Sequence, residues 1–140
     1  MPAKVRVLVV DGQAIVRHAT CALLSRDPTL HVIEQLFSGE EAVHEGEKLQ
    51  PDLILIEFSL PGISGIEAAR EILRLSPLTR IIFLSRHDSI KVAIDAVKAG
   101  AHGYVAKIDA ASELHTAIRA VRQGSLFVSQ RIRNQGWTEL

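Results

Sequence analysis

The stretch LILIEFSLPGISG, residues 53–65, decides the fold. It begins as a buried apolar strand that ends in Glu57 and continues through a Pro-Gly turn. A helix start follows, because Ser64 and Glu67 have the spacing of a capping box. An acid at the carboxyl end of a parallel strand lies where open α/β proteins bind ligands and carry out their chemistry. Glu57 is therefore the first candidate functional residue.

Further apolar runs lie on both sides of this stretch. VRVLVV (5–10), DLILIEF (52–58) and RIIFLS (80–85) are rich in Val, Ile and Leu, which is typical of parallel strands covered on both faces. HVIEQLF (31–37) and GYVAK (103–107) predict two more peripheral strands. Helical segments alternate with these five strands, and such alternation requires right-handed crossovers with helices on both faces of the sheet. We predict a three-layer α/β domain with a five-stranded parallel sheet.

The helix boundaries come from capping residues. Ser38 with Glu41 forms a second capping box. The helix in DAASELHTAIRAVRQG, residues 109–124, is expected to be capped by Asp109 and ended by Gly124. The pattern of alternating strands and helices stops after that glycine. We therefore assign residues 1–124 to one domain and read residues 125–140 as a C-terminal tail or the start of a linker.

Composition excludes several classes of function. The 140 residues include 16 Lys and Arg and 16 Asp and Glu, so no net charge attracts the chain to nucleic acid or to an anionic membrane. The single cysteine, Cys21, excludes a disulfide framework and a thiolate metal site. Because no segment approaches the roughly 18 apolar residues of a membrane span, we expect a soluble, cytoplasmic protein.

Polar residues follow four of the predicted strands: Asp11, Glu57, Ser85 and Lys107. Since the carboxyl ends of parallel strands share one edge of the sheet, these side chains converge. Together they could bind a divalent cation and a phosphoryl group, with the carboxylates on the metal and the ammonium and hydroxyl on phosphate oxygens. Simpler interpretations exist for each residue: Asp11 could only cap a helix, and Lys107 could be an ordinary surface lysine.

The segments VRVLVVDG, PDLILIEFSLPGISGIEAAREI, IIFLSRHD and AVKAGAHGYVAKIDAASELHTAIRAV together resemble the receiver domain of two-component response regulators. The resemblance covers about residues 4–124. It is greatest to the branch that precedes LuxR-type helix-turn-helix output domains. It implies a flavodoxin-like, doubly wound sheet of order 2-1-3-4-5 and a non-enzymatic part in a phosphorelay. It also implies a sensor histidine kinase as partner and transcription regulation through an output domain.

The resemblance also implies residue roles. Glu57 occupies the position of the phosphoacceptor, Ser85 that of the switch hydroxyl and Lys107 that of the phosphate-pairing lysine. Tyr104 matches the aromatic residue whose inward or outward rotamer reports the active state. Asp11, Glu57 and the backbone carbonyl of Ser59 correspond to the Mg²⁺ ligands.

Two positions depart from the family pattern. Glu57 stands where the family has an aspartate, and Gly12 stands where it has a second acid. The extra methylene of Glu57 moves its oxygens by roughly 1 Å, an error that can cost on the order of a hundredfold in a positioned nucleophile. Gly12 removes an oxygen ligand and so weakens Mg²⁺ binding. We therefore expect a pseudo-receiver with impaired phosphorylation, in which a Glu57–Lys107 ion pair replaces the pair between phosphoryl group and lysine.

An alternative function is a small Mg²⁺-dependent phosphatase or phosphotransferase of the haloacid-dehalogenase type. That chemistry needs a second aspartate two residues after Asp11, and position 13 is Gln. We expect protein partners instead, including a second copy of the chain. A histidine kinase is a doubtful partner if phosphorylation is impaired, and neither nucleic acid nor membrane is expected to bind this domain directly.

Overall fold

The computed structural model describes residues 4–138. The described chain contains, in order, β1 (Val5–Val10), α1 (Ala14–Leu24), β2 (Leu30–Leu36), α2 (Gly39–Leu49), β3 (Leu53–Ile56), α3 (Gly65–Leu75), β4 (Arg80–Ser85), α4 (Ile90–Lys98), β5 (Gly103–Ala106), α5 (Ala110–Arg122), β6 (Phe127–Val128) and α6 (Gln130–Arg133). A single 3₁₀ turn, Lys107–Asp109, connects β5 to α5. The outer limits of the predicted domain and tail, residues 1 and 140, lie outside the described residues.

The sheet is parallel throughout and has the order β2-β1-β3-β4-β5-β6. The expected order of the first five strands is confirmed, but the prediction of a five-stranded sheet is wrong. The sixth strand, β6, pairs with β5 through Gly103 and Tyr104. Because it has two residues, it is too short to show the alternation by which strands are recognised in a sequence.

Alternate residues of the central strands enter two separate apolar clusters. Leu8 and Val10 of β1 lie in one cluster with buried residues of α2, α3, α4 and α6. Val7 and Val9 lie in the other, with buried residues of α1 and α5. Strands covered on both faces explain the continuous apolar runs in the sequence. Among residues 4–138, no helix has both the length and the apolar character that crossing a membrane requires.

Both serines of the predicted capping boxes cap the starts of their helices. The Ser38 hydroxyl accepts a hydrogen bond from the amide of Glu41 at 3.1 Å, and the Ser64 hydroxyl accepts one from the amide of Glu67 at 3.2 Å. The predicted side-chain cap at Asp109 is wrong, since its carboxylate makes no capping bond. It pairs instead with the Arg131 guanidinium, at 3.0 Å between Oδ2 and Nε.

The free edge strand β2 is irregular. Val7 pairs with Val32, whereas the next residue, Leu8, pairs with Glu34. Ile33 is therefore an extra residue on β2, and the strand carries a β-bulge at this point.

Candidate functional site

The four residues predicted at the strand ends lie at one edge of the sheet. Asp11 directly follows β1, Glu57 follows β3, Ser85 ends β4 and Lys107 follows β5. The two carboxylates are buried, with Asp11 5% and Glu57 3% exposed. A small cavity of about 50 Å³ opens here, lined by Asp11, Gly12, Gln13, Glu57, Ser59, Arg86 and Lys107.

The Lys107 ammonium lies between the two buried carboxylates. Its Nζ atom is 2.5 Å from Oδ2 of Asp11 and 2.9 Å from Oε1 of Glu57. The Glu57–Lys107 contact suggested by the sequence is therefore present. Its extension to Asp11 was not predicted, because the sequence does not show how far the lysine reaches. We call Asp11, Glu57 and Lys107 the ion triad.

Backbone amides also bind the carboxylate oxygens of the ion triad. Gln13 donates to Oδ1 of Asp11 at 2.9 Å. Arg86 donates to Oε1 of Glu57 at 3.1 Å, and Phe58 donates to Oε2 of the same side chain. Each of the four carboxylate oxygens thus accepts a hydrogen bond within the protein. This satisfies the requirement that buried charges be paired and hydrogen-bonded.

The surroundings of Glu57 lower the pKa of its carboxyl group. Burial acts in the opposite direction and would raise the pKa, since a charged group is costly away from water. The Ser85 hydroxyl, the Lys107 ammonium and the Arg86 amide all stabilise the charged form, and together they outweigh burial. Glu57 is therefore an ionised carboxylate at neutral pH.

This lowered pKa predicts a loss of stability in acid. The contribution of ionised Glu57 is fully present above its ordinary pKa of 4.5 and is lost as the pH falls through the lower folded-state value. Urea denaturation from neutral pH to about pH 3 should show this loss. The Glu57→Gln variant, which cannot titrate here, should show a shallower pH dependence. If the unfolding free energies of the two proteins fell equally with pH, Glu57 would not be the group whose lowered pKa causes the loss.

A second set of contacts joins the loop after β4 to the loop after β3. The amide of His87 donates to the Ser85 hydroxyl at 3.1 Å, and the His87 ring lies 2.8 Å from the Ser59 hydroxyl through Nε2. The ring also makes an edge contact with Phe58. Sequence analysis missed His87, because its connections depend on where two separate loops end and no motif marks them.

Tyr104 points inward. It is fully buried and stacks on Phe83 at 6.0 Å between ring centroids. Its hydroxyl donates to the backbone carbonyl of His87 at 2.7 Å. Burial raises the pKa of this hydroxyl well above its usual value, so it remains a hydrogen-bond donor. Ser85 and Tyr104 do not line the small cavity. The Ser85 hydroxyl bonds to Glu57, which does line it, and Tyr104 is linked to the site through the loop that carries His87.

The family model for the response regulator receiver domain matches residues 7–119 of the chain. The chain belongs to the response-regulator receiver family. The match includes Asp11, Glu57, Ser85, Tyr104 and Lys107. The site described above is therefore part of the receiver domain itself.

Individual relatives agree with this family. The response regulator GacA of Pseudomonas viridiflava is 34% identical over 131 residues, which cover 94% of this chain and 61% of GacA. A protein-glutamate methylesterase/protein-glutamine glutaminase of Aliivibrio fischeri is 36% identical over 104 residues, covering 74% of this chain and 28% of that enzyme. The crystal structure of a LuxR-family two-component response regulator from Aurantimonas sp. SI85-9A1 is 32% identical, covers 94% of each chain and has a TM-score of 0.90. The chain thus spans less than two thirds of the length of these curated relatives. One of the relatives is named as an enzyme.

Receiver domains usually bind Mg²⁺ at an acidic pocket. In this receiver the Lys107 ammonium lies between the two carboxylates and competes with a cation for them. No group of three His, Cys, Asp or Glu side chains suited to a metal ion occurs within residues 4–138. Gly12 contributes no ligand, and a Cβ atom added to it would lie 3.0 Å from Cδ of Pro61. A cation would have to displace the ammonium first.

Proposed function

We propose that this chain is the receiver module of a two-component response regulator in which the ion triad replaces phosphorylation. The observation that carries the proposal is the position of the Lys107 ammonium, bonded to both Asp11 and Glu57. In this role the chain is a pseudo-receiver that acts in the cytoplasm through protein–protein contacts.

The contacts of Glu57 oppose its use as a nucleophile. Both of its oxygens accept hydrogen bonds, and one of them is also paired with Lys107. A carboxylate stabilised in this way is a weaker nucleophile. Its longer side chain also misplaces the attacking oxygen relative to an aspartate. Gly12 also weakens Mg²⁺ binding. Phosphoryl transfer therefore lacks both a correctly placed nucleophile and the positive charge of a tightly bound metal ion.

The Glu57 carboxylate replaces only part of the negative charge of a phosphoryl group. A carboxylate supplies one negative charge and two oxygens, whereas a phosphoryl group supplies about −1.5 to −2 and three acceptor oxygens. We infer that the triad holds one fixed conformation, with Tyr104 inward, that still binds partner proteins. A fixed conformation makes a sensor histidine kinase a doubtful partner.

Intact-mass spectrometry after incubation with acetyl phosphate and Mg²⁺ tests this function. We expect the unaltered protein to gain no phosphoryl group. The Glu57→Asp variant and the Gly12→Asp/Glu57→Asp variant restore the family's acids and are expected to be labelled. Glu57→Asn, which has the size of the aspartate but no carboxylate, is the matched control and should remain unlabelled.

Either of two results would overturn the proposal. Labelling of the unaltered protein would make Glu57 or another residue a working acceptor. Failure of both restored variants to be labelled would show that the remaining residues no longer support the reaction. Because the Cβ of the new Asp at position 12 requires Pro61 to shift by a few tenths of an ångström, the Glu57→Asp single variant is the more direct comparison.

We further propose that residues 1–124 form the receiver-like domain and that residues 125–140 are its tail or the start of a linker, in which Val128 and Ile132 pack back onto the domain. A relative from Brevibacillus brevis is named the transcriptional regulatory protein DegU, and we propose that a longer protein containing this chain regulates transcription through an output domain. We propose that this chain has no enzymatic activity and can form a homodimer. The haloacid-dehalogenase alternative is not favoured, because the family match assigns Asp11 and its neighbours to a receiver domain.

A further inference from the structure

The residues that follow α5 fold back onto the domain. We call residues 126–137 the C-terminal strap. Two of its side chains, Val128 and Ile132, are fully buried in the same apolar cluster as Tyr104. Backbone hydrogen bonds join it to β5 and to the residue before it. The Phe127 amide donates to the carbonyl of His102 at 3.3 Å, and the Ser129 amide donates to the carbonyl of Tyr104 at 3.0 Å. The strap therefore covers the edge of β5.

Ser129 anchors the strap beside the ion triad. Its hydroxyl accepts a hydrogen bond from the Ala106 amide at 2.9 Å and donates one to the Glu113 carboxylate of α5 at 2.5 Å. Ser129 is completely buried. Ala106 directly precedes Lys107, whose ammonium joins Asp11 and Glu57. The residue that Ser129 anchors is thus the direct neighbour in the chain of the lysine that pairs with the two carboxylates.

Gln135 anchors the other end of the strap to the loop after β4. Its side-chain carbonyl accepts from the Ile90 amide at 2.9 Å, and its side-chain amide donates to the carbonyl of Asp88 at 2.7 Å. The same loop supplies the Arg86 amide to Glu57 and the His87 carbonyl to Tyr104. The strap is therefore bonded to two of the segments that contact the ion triad, the end of β5 and the loop after β4.

We propose that the C-terminal strap is a conformational reporter of the ion triad, held closed while Lys107 is paired with the two carboxylates. Breaking the triad moves the end of β5 and the loop after β4, and both strap anchors loosen. Since coupling between two sites is reciprocal, opening the strap must also loosen the triad. This inference does not depend on whether Glu57 can be phosphorylated.

Residue-resolved amide hydrogen exchange tests the coupling, because exchange rates report local opening. We expect Lys107→Met to speed exchange at the strap amides of Phe127 and Ser129 by about tenfold, within the usual range of coupling between sites. In the reverse direction, Ser129→Ala should speed exchange at the Phe58 and Arg86 amides, which bind Glu57.

Two comparisons keep the test specific. The amide of Val5, bonded to the Thr29 carbonyl far from the strap, reports global opening. Arg74→Gln breaks an exposed ion pair with Glu71 on α3 and should leave all these rates unchanged. Because Lys107→Met also lowers the free energy of global opening, the strap amides must exchange faster than the Val5 amide in both proteins, which shows that they open locally. Unchanged strap rates in Lys107→Met, or strap rates no faster than that of Val5, would overturn the proposal. Should Lys107→Met not fold, Glu57→Gln disrupts the same triad and is judged by the same rates.

Discussion

The Lys107→Met variant is expected to lose about 3–5 kcal/mol of unfolding free energy at neutral pH, the usual cost of leaving a buried charge without its partner. Methionine retains an apolar stem of similar length, so the loss reports the charge and not a cavity. Asp11 and Glu57 are 5% and 3% exposed, and without the ammonium their negative charges would repel each other away from water. Urea denaturation monitored by circular dichroism measures the change.

Two further variants show whether this loss belongs to the triad. Lys91→Met removes the cation of an exposed pair with Asp95 and should change stability by less than about 1 kcal/mol. In the Glu57→Gln/Lys107→Met double variant, one of the two unpaired charges is gone, so part of the stability should return. Equal stabilities of Lys107→Met and the unaltered protein would show that water compensates the carboxylates.

Ile132→Ala is expected to destabilise the protein by about 2–5 kcal/mol, as large-to-small changes in a core do. Ile132 lies in α6, is completely buried, and belongs to the cluster that contains Tyr104 and Phe83. The change leaves a void beneath the strap, and the surrounding strands can close it only in part. Thermal or urea unfolding gives the value.

Ile108→Ala is the matched control for this substitution. It removes the same atoms from a side chain that is 75% exposed, so its effect on stability should be small. Similar small effects for both variants would mean that the strap unfolds separately from the rest of the domain. A large effect at Ile132 alone would make the strap part of one cooperative unit.

Much of the fold follows from local sequence. The apolar runs of β1 and β4 have the predicted limits, since strands buried on both faces have long stretches of Val, Ile and Leu. Ser38 and Ser64 start helices because the hydroxyl of each binds an amide only three residues later. Features of this kind depend on neighbours in the chain, and the sequence therefore predicts them.

What the sequence could not predict depends on distant partners. Asp109 has the right type and position for a helix cap, but Arg131, more than twenty residues later, takes its carboxylate. The same holds for the site. The convergence of Asp11, Glu57 and Lys107 follows from topology, whereas the bonds of the His87 and Arg86 backbones depend on the path of one loop. Strand β6 was missed because two residues are too few to show a periodic pattern and because its pairing partner β5 lies more than twenty residues earlier in the chain.

The bulge in β2 has a consequence for the behaviour of the protein at high concentration. A regular free edge strand offers a row of unpaired amides and carbonyls on which strands of other molecules can assemble into fibrils. The extra residue Ile33 interrupts that row in the middle of β2, and the exposed Glu34 brings a charge beside it. A strand of a second molecule could form regular hydrogen bonds with β2 over only three residues before it reached the bulge. The edge of the sheet is thereby protected against amyloid-like growth.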